Sequence, residues 1–103
     1  MDFAVVWSPT AARDLDDIAA YIAQDSLTYA ASFVSRTLRV AAQLRTFPRS
    51  GRVVPEFSSP EIRERLVYQY RLIYRVEPQR VLILALIHGK RILPDDVFPE
   101  STE

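Results

Sequence analysis

Hydrophobic residues run at two different periods along this chain, and the places where the period changes divide it into elements. Residues 3–7, Phe-Ala-Val-Val-Trp, are strand formers that stop at Ser8-Pro9. Ser8 is placed to cap a helix, and Pro9 falls at the first helical position, where its missing N–H costs nothing. Leu15, Ile18, Ala19 and Ile22 then recur at helical spacing, with Asp14, Asp17, Gln24 and Asp25 elsewhere around the wheel, which predicts an amphipathic helix over 9–24. Ser26 or Thr28 caps a second helix with an apolar stripe of Ala30, Phe33, Val34, Leu38, Ala41, Ala42 and Leu44, and Phe47-Pro48 ends it. The short gap between the two helices predicts an antiparallel hairpin.

Residues 48–60 hold Gly51 and three prolines and read as a loop crossing back to a sheet. Three β-rich runs follow at 62–68, 70–77 and 80–88, separated by turn-compatible residues, and predict a meander. The last run is apolar on both faces and is expected in the sheet interior. Arg63 and Arg65, and likewise Arg71 and Arg75, recur at an even spacing, so the arginines are expected together on one sheet face. Beyond His88 periodicity is lost, and residues 92–103 read as an acidic tail that packs only through Ile92, Leu93 and Phe98. The expected fold is therefore α+β: an N-terminal strand, then a two-helix hairpin packed on a small antiparallel sheet, in the order β-α-α-β-β-β. How the first strand pairs is left open.

With 103 residues the chain has room for one domain and one core. It has no cysteine and one histidine, which removes disulfides, thiolate chemistry and a histidine-rich metal cluster, so neither metal nor cofactor is expected. The start, Met-Asp-Phe, lacks the basic and apolar regions of a secretory signal, and a cytoplasmic location is expected. The longest apolar run, Val81 to Ile87, is about a third of the roughly 20 residues that a membrane helix needs.

The formal net charge of zero hides a strong asymmetry. Residues 1–35 carry one basic residue against five acids, residues 36–91 twelve against four, and residues 92–103 none against four. Eleven of the twelve central bases are arginine, whose planar fork suits carboxylate and phosphate, so an anionic partner is expected.

Several residues could carry chemistry. The imidazole is the side chain that exchanges protons near neutral pH, which makes His88 the acid/base candidate. Arg63, Arg65, Arg71, Lys90 and Arg91 are candidates for stabilising a phosphorane-like transition state, with Glu56 or Glu61 as a base. Arg71 and Arg75 flank Tyr70 and Tyr74, an arrangement suited to phosphate contact beside stacking surfaces. The competing reading is that the tyrosines pack the sheet and the arginines pair with neighbouring acids.

In order along the chain, Trp7-Ser8-Pro9 with Ala12 and Asp14-Leu15, Ile18 and Tyr21-Ile22, Phe47-Pro48 with Ser50-Gly51-Arg52, Tyr70 to Val76, and Ile87-His88-Gly89-Lys90-Arg91 resemble the RelE/ParE superfamily of toxins from type II toxin-antitoxin systems. The resemblance spans roughly residues 3–91. It implies a toxin neutralised by a cognate antitoxin that wraps it with an amphipathic, often acidic segment. The His-Gly-Lys-Arg ending looks more like the branch that poisons DNA gyrase, with Arg63, Arg65, Arg71, Arg75, His88, Lys90 and Arg91 as target-binding residues. The branch that cuts messenger RNA on the ribosome tends to carry a lysine-rich cluster and a late tyrosine. Here Lys90 is the only lysine and no tyrosine follows Tyr74. That alternative, an endoribonuclease using His88 with Arg65, Arg71 or Arg91, stays open, as does an inactive member that only binds its antitoxin.

Overall fold

A computed structural model describes residues 2–100. The chain runs β1 (Ala4–Trp7), α1 (Pro9–Ala23), α2 (Leu27–Gln43), β2 (Arg52–Val53), β3 (Ile62–Val67), β4 (Tyr70–Val76) and β5 (Arg80–His88), followed by one 3-10 turn at Asp95–Val97. Five strands form one sheet in the order β1-β5-β4-β3-β2. The predicted meander is β3-β4-β5, antiparallel throughout, and β1 joins it in parallel beside β5. The region read as a plain loop also contributes β2, two residues paired with Arg63 and Glu64.

Local chemistry explains the helix boundaries. Ser8 Oγ accepts the Ala11 N–H at 3.1 Å, and Ser26 Oγ accepts that of Tyr29 at 3.1 Å. Ser8 is itself buried, and its hydroxyl donates to the Leu84 carbonyl at 3.3 Å, which ties the start of α1 to the sheet.

The phase of β5 slips in mid-strand, because Ile73 pairs with Ala85 while Tyr74 pairs with Ile83. Consequently Val81, Ile83 and Leu86 face the helices, while Leu82, Leu84, Ala85 and Ile87 face the other side. The sheet thus has two buried faces. One packs on Ala11, Phe33, Val40, Ala41 and Leu44 of the helical layer. The other is covered by Val54, Phe57, Leu93, Val97 and Phe98, all outside regular strands. This second core sets β5 in the interior, as its unbroken apolar run requires.

Two details of the helix and tail patterns need correction. In α2 the buried residues include Thr37 and Val40, whereas Leu38 is 48% exposed. Thr37 is tolerated because its hydroxyl donates to the Phe33 carbonyl at 2.8 Å. In the tail Ile92 is exposed, and Val97 takes the buried place beside Leu93, with Phe98 edge-on to Phe57. No helix among the described residues is long and apolar enough to cross a membrane.

Candidate functional site

Strand register decides where the arginines go. In the β3-β4 hairpin Val67 pairs with Tyr70, Arg65 with Leu72 and Arg63 with Tyr74, so the two β3 arginines share the helix-facing side of the sheet with Leu72 and Tyr74. Arg71 and Arg75 alternate with these residues on β4 and point to the opposite side, with Ile73. The single arginine face expected from sequence is therefore two faces.

On the side away from the helices Arg71 is buried, at 6% exposure, in a chain of alternating charges. Its guanidinium donates to both Glu56 oxygens at 2.9–3.0 Å and to the Arg91 carbonyl at 3.3 Å. Its Nε stands 2.9 Å from Glu64 Oε1 as an ion pair, the N–H angled off the hydrogen-bond line. Glu64 in turn holds Arg52. Glu56 also accepts the Leu93 N–H at 3.1 Å. Burial would raise the Glu56 carboxyl, but the Leu93 and Arg71 hydrogen bonds outweigh it and hold the group below the ordinary glutamate value. Arg75 pairs with Glu77 and Glu100 and lies 5.8 Å over the Phe98 ring. Both β4 arginines are thus neutralised within the chain and strapped under residues 91–100.

The β3 arginines differ from these. Arg63 donates to the carbonyls of Pro60 and Gly51 at 2.9 Å and pins the loop that carries β2. Arg65 bonds neutral groups, Gln43 Oε1 at 2.9 Å and Ser50 Oγ at 3.1 Å. The same loop is fixed by Tyr74, fully buried, whose hydroxyl accepts the Gly51 N–H at 2.9 Å and whose titration is pushed up by burial. Of the base candidates, Glu61 is paired with Arg49 at 2.7 Å and Glu56 is the clamp already described.

His88 is exposed at the end of β5, on the helix-facing side, and pairs in register with Tyr70. Its Nδ1 accepts the Lys90 N–H at 3.2 Å and its ring meets Tyr70 edge-on at 5.6 Å. His88 and Arg71 lie on opposite faces of the sheet. Lys90 and Arg91 are exposed beside it. Asp14, which the helical wheel sets on the polar side, instead turns toward the sheet and accepts the Leu86 N–H at 3.0 Å. β1 ends opposite Ile83, so a side chain from α1 satisfies a strand N–H that no neighbouring strand reaches. Burial, the largest influence, raises the Asp14 carboxyl, with the Leu86 hydrogen bond opposing it. Among the described residues no group of His, Cys, Asp or Glu is arranged to hold a metal ion.

A feature that sequence reasoning did not assemble lies between the helical hairpin and the ends of β3, β4 and β5. Tyr21, Tyr29, Phe33, Tyr68, Tyr70 and His88 line a groove of about 650 Å³. Tyr21 and Tyr29 are 68% and 72% exposed, far beyond what tyrosines that pack a sheet would show. The signal was available in these two tyrosines, which fall off the apolar stripes of their helices. Tyr68 heads the two-residue β3-β4 connection at φ 54°, the only non-glycine in the left-handed region among the described residues.

The comparisons with known proteins agree with this architecture. A chain of the chromosomal ParDE toxin-antitoxin system from P. aeruginosa superposes with a TM-score of 0.70 at 21% identity, the match covering 85% of this chain and 97% of that one. A chain of the RelBE2 toxin-antitoxin complex from Mycobacterium tuberculosis superposes with a TM-score of 0.61 at 22% identity, covering 85% and 99%. A search of curated proteins found no significant match. The sequence profile described as the ParE toxin of the type II toxin-antitoxin system parDE matches residues 5–93, most of the chain, and the protein therefore belongs to that toxin family.

Proposed function

We propose that this toxin arrests growth by binding a DNA-processing target, DNA gyrase, and that it does so without catalysing a reaction. The observation that carries this reading is the separation of His88 from Arg71 by the thickness of the sheet, with Arg71 neutralised by Glu56 and Glu64. Ribonucleolytic cleavage needs a base, an acid and a cation converging on one phosphate, and although Lys90 and Arg91 stand beside His88, Arg71 is on the other face and both candidate bases, Glu56 and Glu61, are held in ion pairs. Of the sequence candidates, Arg65, His88, Lys90 and Arg91 stay available to a target, while Arg71 and Arg75 act as internal clamps. The aromatic groove is the dock proposed for the apolar side of the cognate antitoxin segment, since a groove of this size rimmed by exposed tyrosines suits helix-in-groove binding.

The test is induced expression with and without the neighbouring antitoxin, reading growth, DNA supercoiling and messenger RNA integrity together. Arrest relieved by the antitoxin, with lost supercoiling activity and intact messages, is the expected result. Cut messages together with relief of toxicity by His88→Ala would replace this reading with the endoribonuclease. Tyr21→Ser with Tyr29→Ser is expected to leave the toxin active and weaken its rescue by the antitoxin.

A further inference from the structure

Half of the twelve basic residues in 36–91 are paired with carboxylates of the same chain. Arg45, Arg49, Arg52, Arg71, Arg75 and Arg80 each stand within ion-pair distance of a carboxylate. Arg36, Arg39, Arg63, Arg65, Lys90 and Arg91 have no such partner among the described residues, and three of them, Arg36, Arg39 and Arg65, form a group. They lie along one seam, because α2 carries no acid at all and Arg36, Arg39 and Gln43 recur three and four residues apart on one face of it. Gln43 then holds Arg65 of β3, extending the line.

Each of the three is held by a neutral group that orients it without cancelling its charge. Arg36 lies 5.6 Å over the Tyr68 ring, Arg39 touches Ser35 Oγ at 3.5 Å, and Arg65 is held by Gln43 and Ser50. Beside them is a shallow hollow of about 330 Å³, lined by Ser32, Ser35, Arg36, Arg39 and Tyr68. The left-handed backbone at Tyr68 fits the same picture. A glycine would adopt φ 54° freely, yet a large ring is kept there, stacked on Phe33 and under Arg36.

From this arrangement we infer that the α2-β3 seam is a docking strip for the phosphodiester backbone of a nucleic acid. Two alternatives suit it less well. A solvated charged face would not need a strained aromatic to position a guanidinium. An acidic protein segment would need an apolar floor, and apart from Ala31 and the Tyr68 ring the hollow is lined by serine hydroxyls and guanidinium groups, whereas the neighbouring groove is lined mainly by rings. Planar guanidinium forks flanked by serine hydroxyls match phosphate oxygens. From Arg36 to Gln43 the helix rises about 10 Å, roughly three nucleotides of one strand. The inference is independent of whether gyrase is the target.

The experiment is fluorescence anisotropy of the full chain with a labelled 12-nucleotide single-stranded DNA, the RNA of the same sequence and the DNA duplex, across 50–200 mM salt. Three phosphate contacts give a log-log salt slope of about −2 on a single strand, which is roughly a 20-fold loss of affinity over that range. Arg36→Gln with Arg39→Gln and Arg65→Gln should abolish the slope. Arg13→Gln with Arg45→Gln and Arg80→Gln removes the same charge elsewhere and should leave it. The single variants R36Q and R39Q, exposed on a helix that accepts glutamine, should each lower the slope by about 0.7, so the reading does not depend on the triple variant folding. Strip-dependent binding of any of the three oligonucleotides sustains the inference. No binding at 50 mM salt, equal losses in the strip and control variants, or displacement of the oligonucleotide by polyglutamate at equal charge concentration would overturn it, the last in favour of an acidic protein partner.

Discussion

The clamp around Arg71 makes the sharpest prediction of the structure. Replacing Glu56 by alanine removes both acceptors of the Arg71 fork and the acceptor of the Leu93 N–H in one step. The Arg71 side chain is 7% exposed and Glu56 21%, so water replaces the lost acceptors only in part. Leaving one member of a buried pair behind costs about 3–5 kcal/mol, and Glu64 still faces the guanidinium, which places the expected loss at the lower end, about 3 kcal/mol. For a domain near 100 residues that corresponds to a fall in Tm of at least about 12 °C. The assay is urea unfolding with hydrogen exchange at Leu93, because release of the strap should expose that amide before global unfolding. The pH dependence has a definite sign. The Glu56 carboxyl is held below its ordinary value of 4.5 in the fold, so its contribution is present above that value and is lost as pH falls through the lower folded value. The acid limb of stability should accordingly be flatter in Glu56→Ala than in the parent. A loss below about 1 kcal/mol with the Leu93 amide still protected would refute the clamp, and a double-mutant cycle with Arg71→Met that showed simple additivity would do the same.

Three further outcomes follow from single contacts. Gly51→Ala sets a methyl against the Glu64 carbonyl and 2.7 Å from the Tyr74 hydroxyl, and is expected to cost about 1–3 kcal/mol in urea unfolding. Asp14→Asn keeps an acceptor for the Leu86 N–H and removes a carboxylate that the fold disfavours. Because its folded value is raised, ionisation weakens the fold as pH rises past 3.8, so this variant should be more stable than the parent at pH 7 and equal to it at low pH, read by thermal unfolding at both. Tyr68→Gly relieves the left-handed backbone while losing one exposed ring, so stability should change by less than about 1 kcal/mol, as calorimetry would show.

How much of this was legible in the sequence depends on the range of the interaction. Ser8 and Ser26 act within one turn of chain, and the local pattern was enough to find both helices and the Ser8 cap, with the second cap narrowed to Ser26 or Thr28. The arginine faces failed on one residue of register. Ending the expected strand over 62–68 at Tyr68 implies pairing Tyr68 with Tyr70, which keeps odd-numbered residues together on one side. The hairpin instead pairs Val67 with Tyr70, which sets odd opposite even and sends Arg71 and Arg75 to the far face. Alternation along a strand fixes which of its own residues share a side, and only the turn fixes how two strands correspond. The groove was missed for a related reason, since Tyr21, Tyr29 and Tyr68 sit on three different elements and meet only once the hairpin is folded.

The formal charge of zero says nothing of where the acids go. Glu56, Glu64, Glu77 and Glu100 are gathered on the sheet face away from the helices, against Arg71, Arg52, Arg75 and Arg80. Had the same number of acids been scattered evenly, each arginine would be partly screened and no region would hold a net field. Concentrating them closes one face with short ion pairs, which covers apolar residues of the second core with residues 91–100 and fixes the strand ends. The same concentration leaves the α2-β3 seam without a carboxylate, so a chain with formal charge zero still presents a directed positive strip. Net charge therefore predicts little about the partners of this fold, whereas the pairing of each arginine predicts which surfaces remain able to attract an anion.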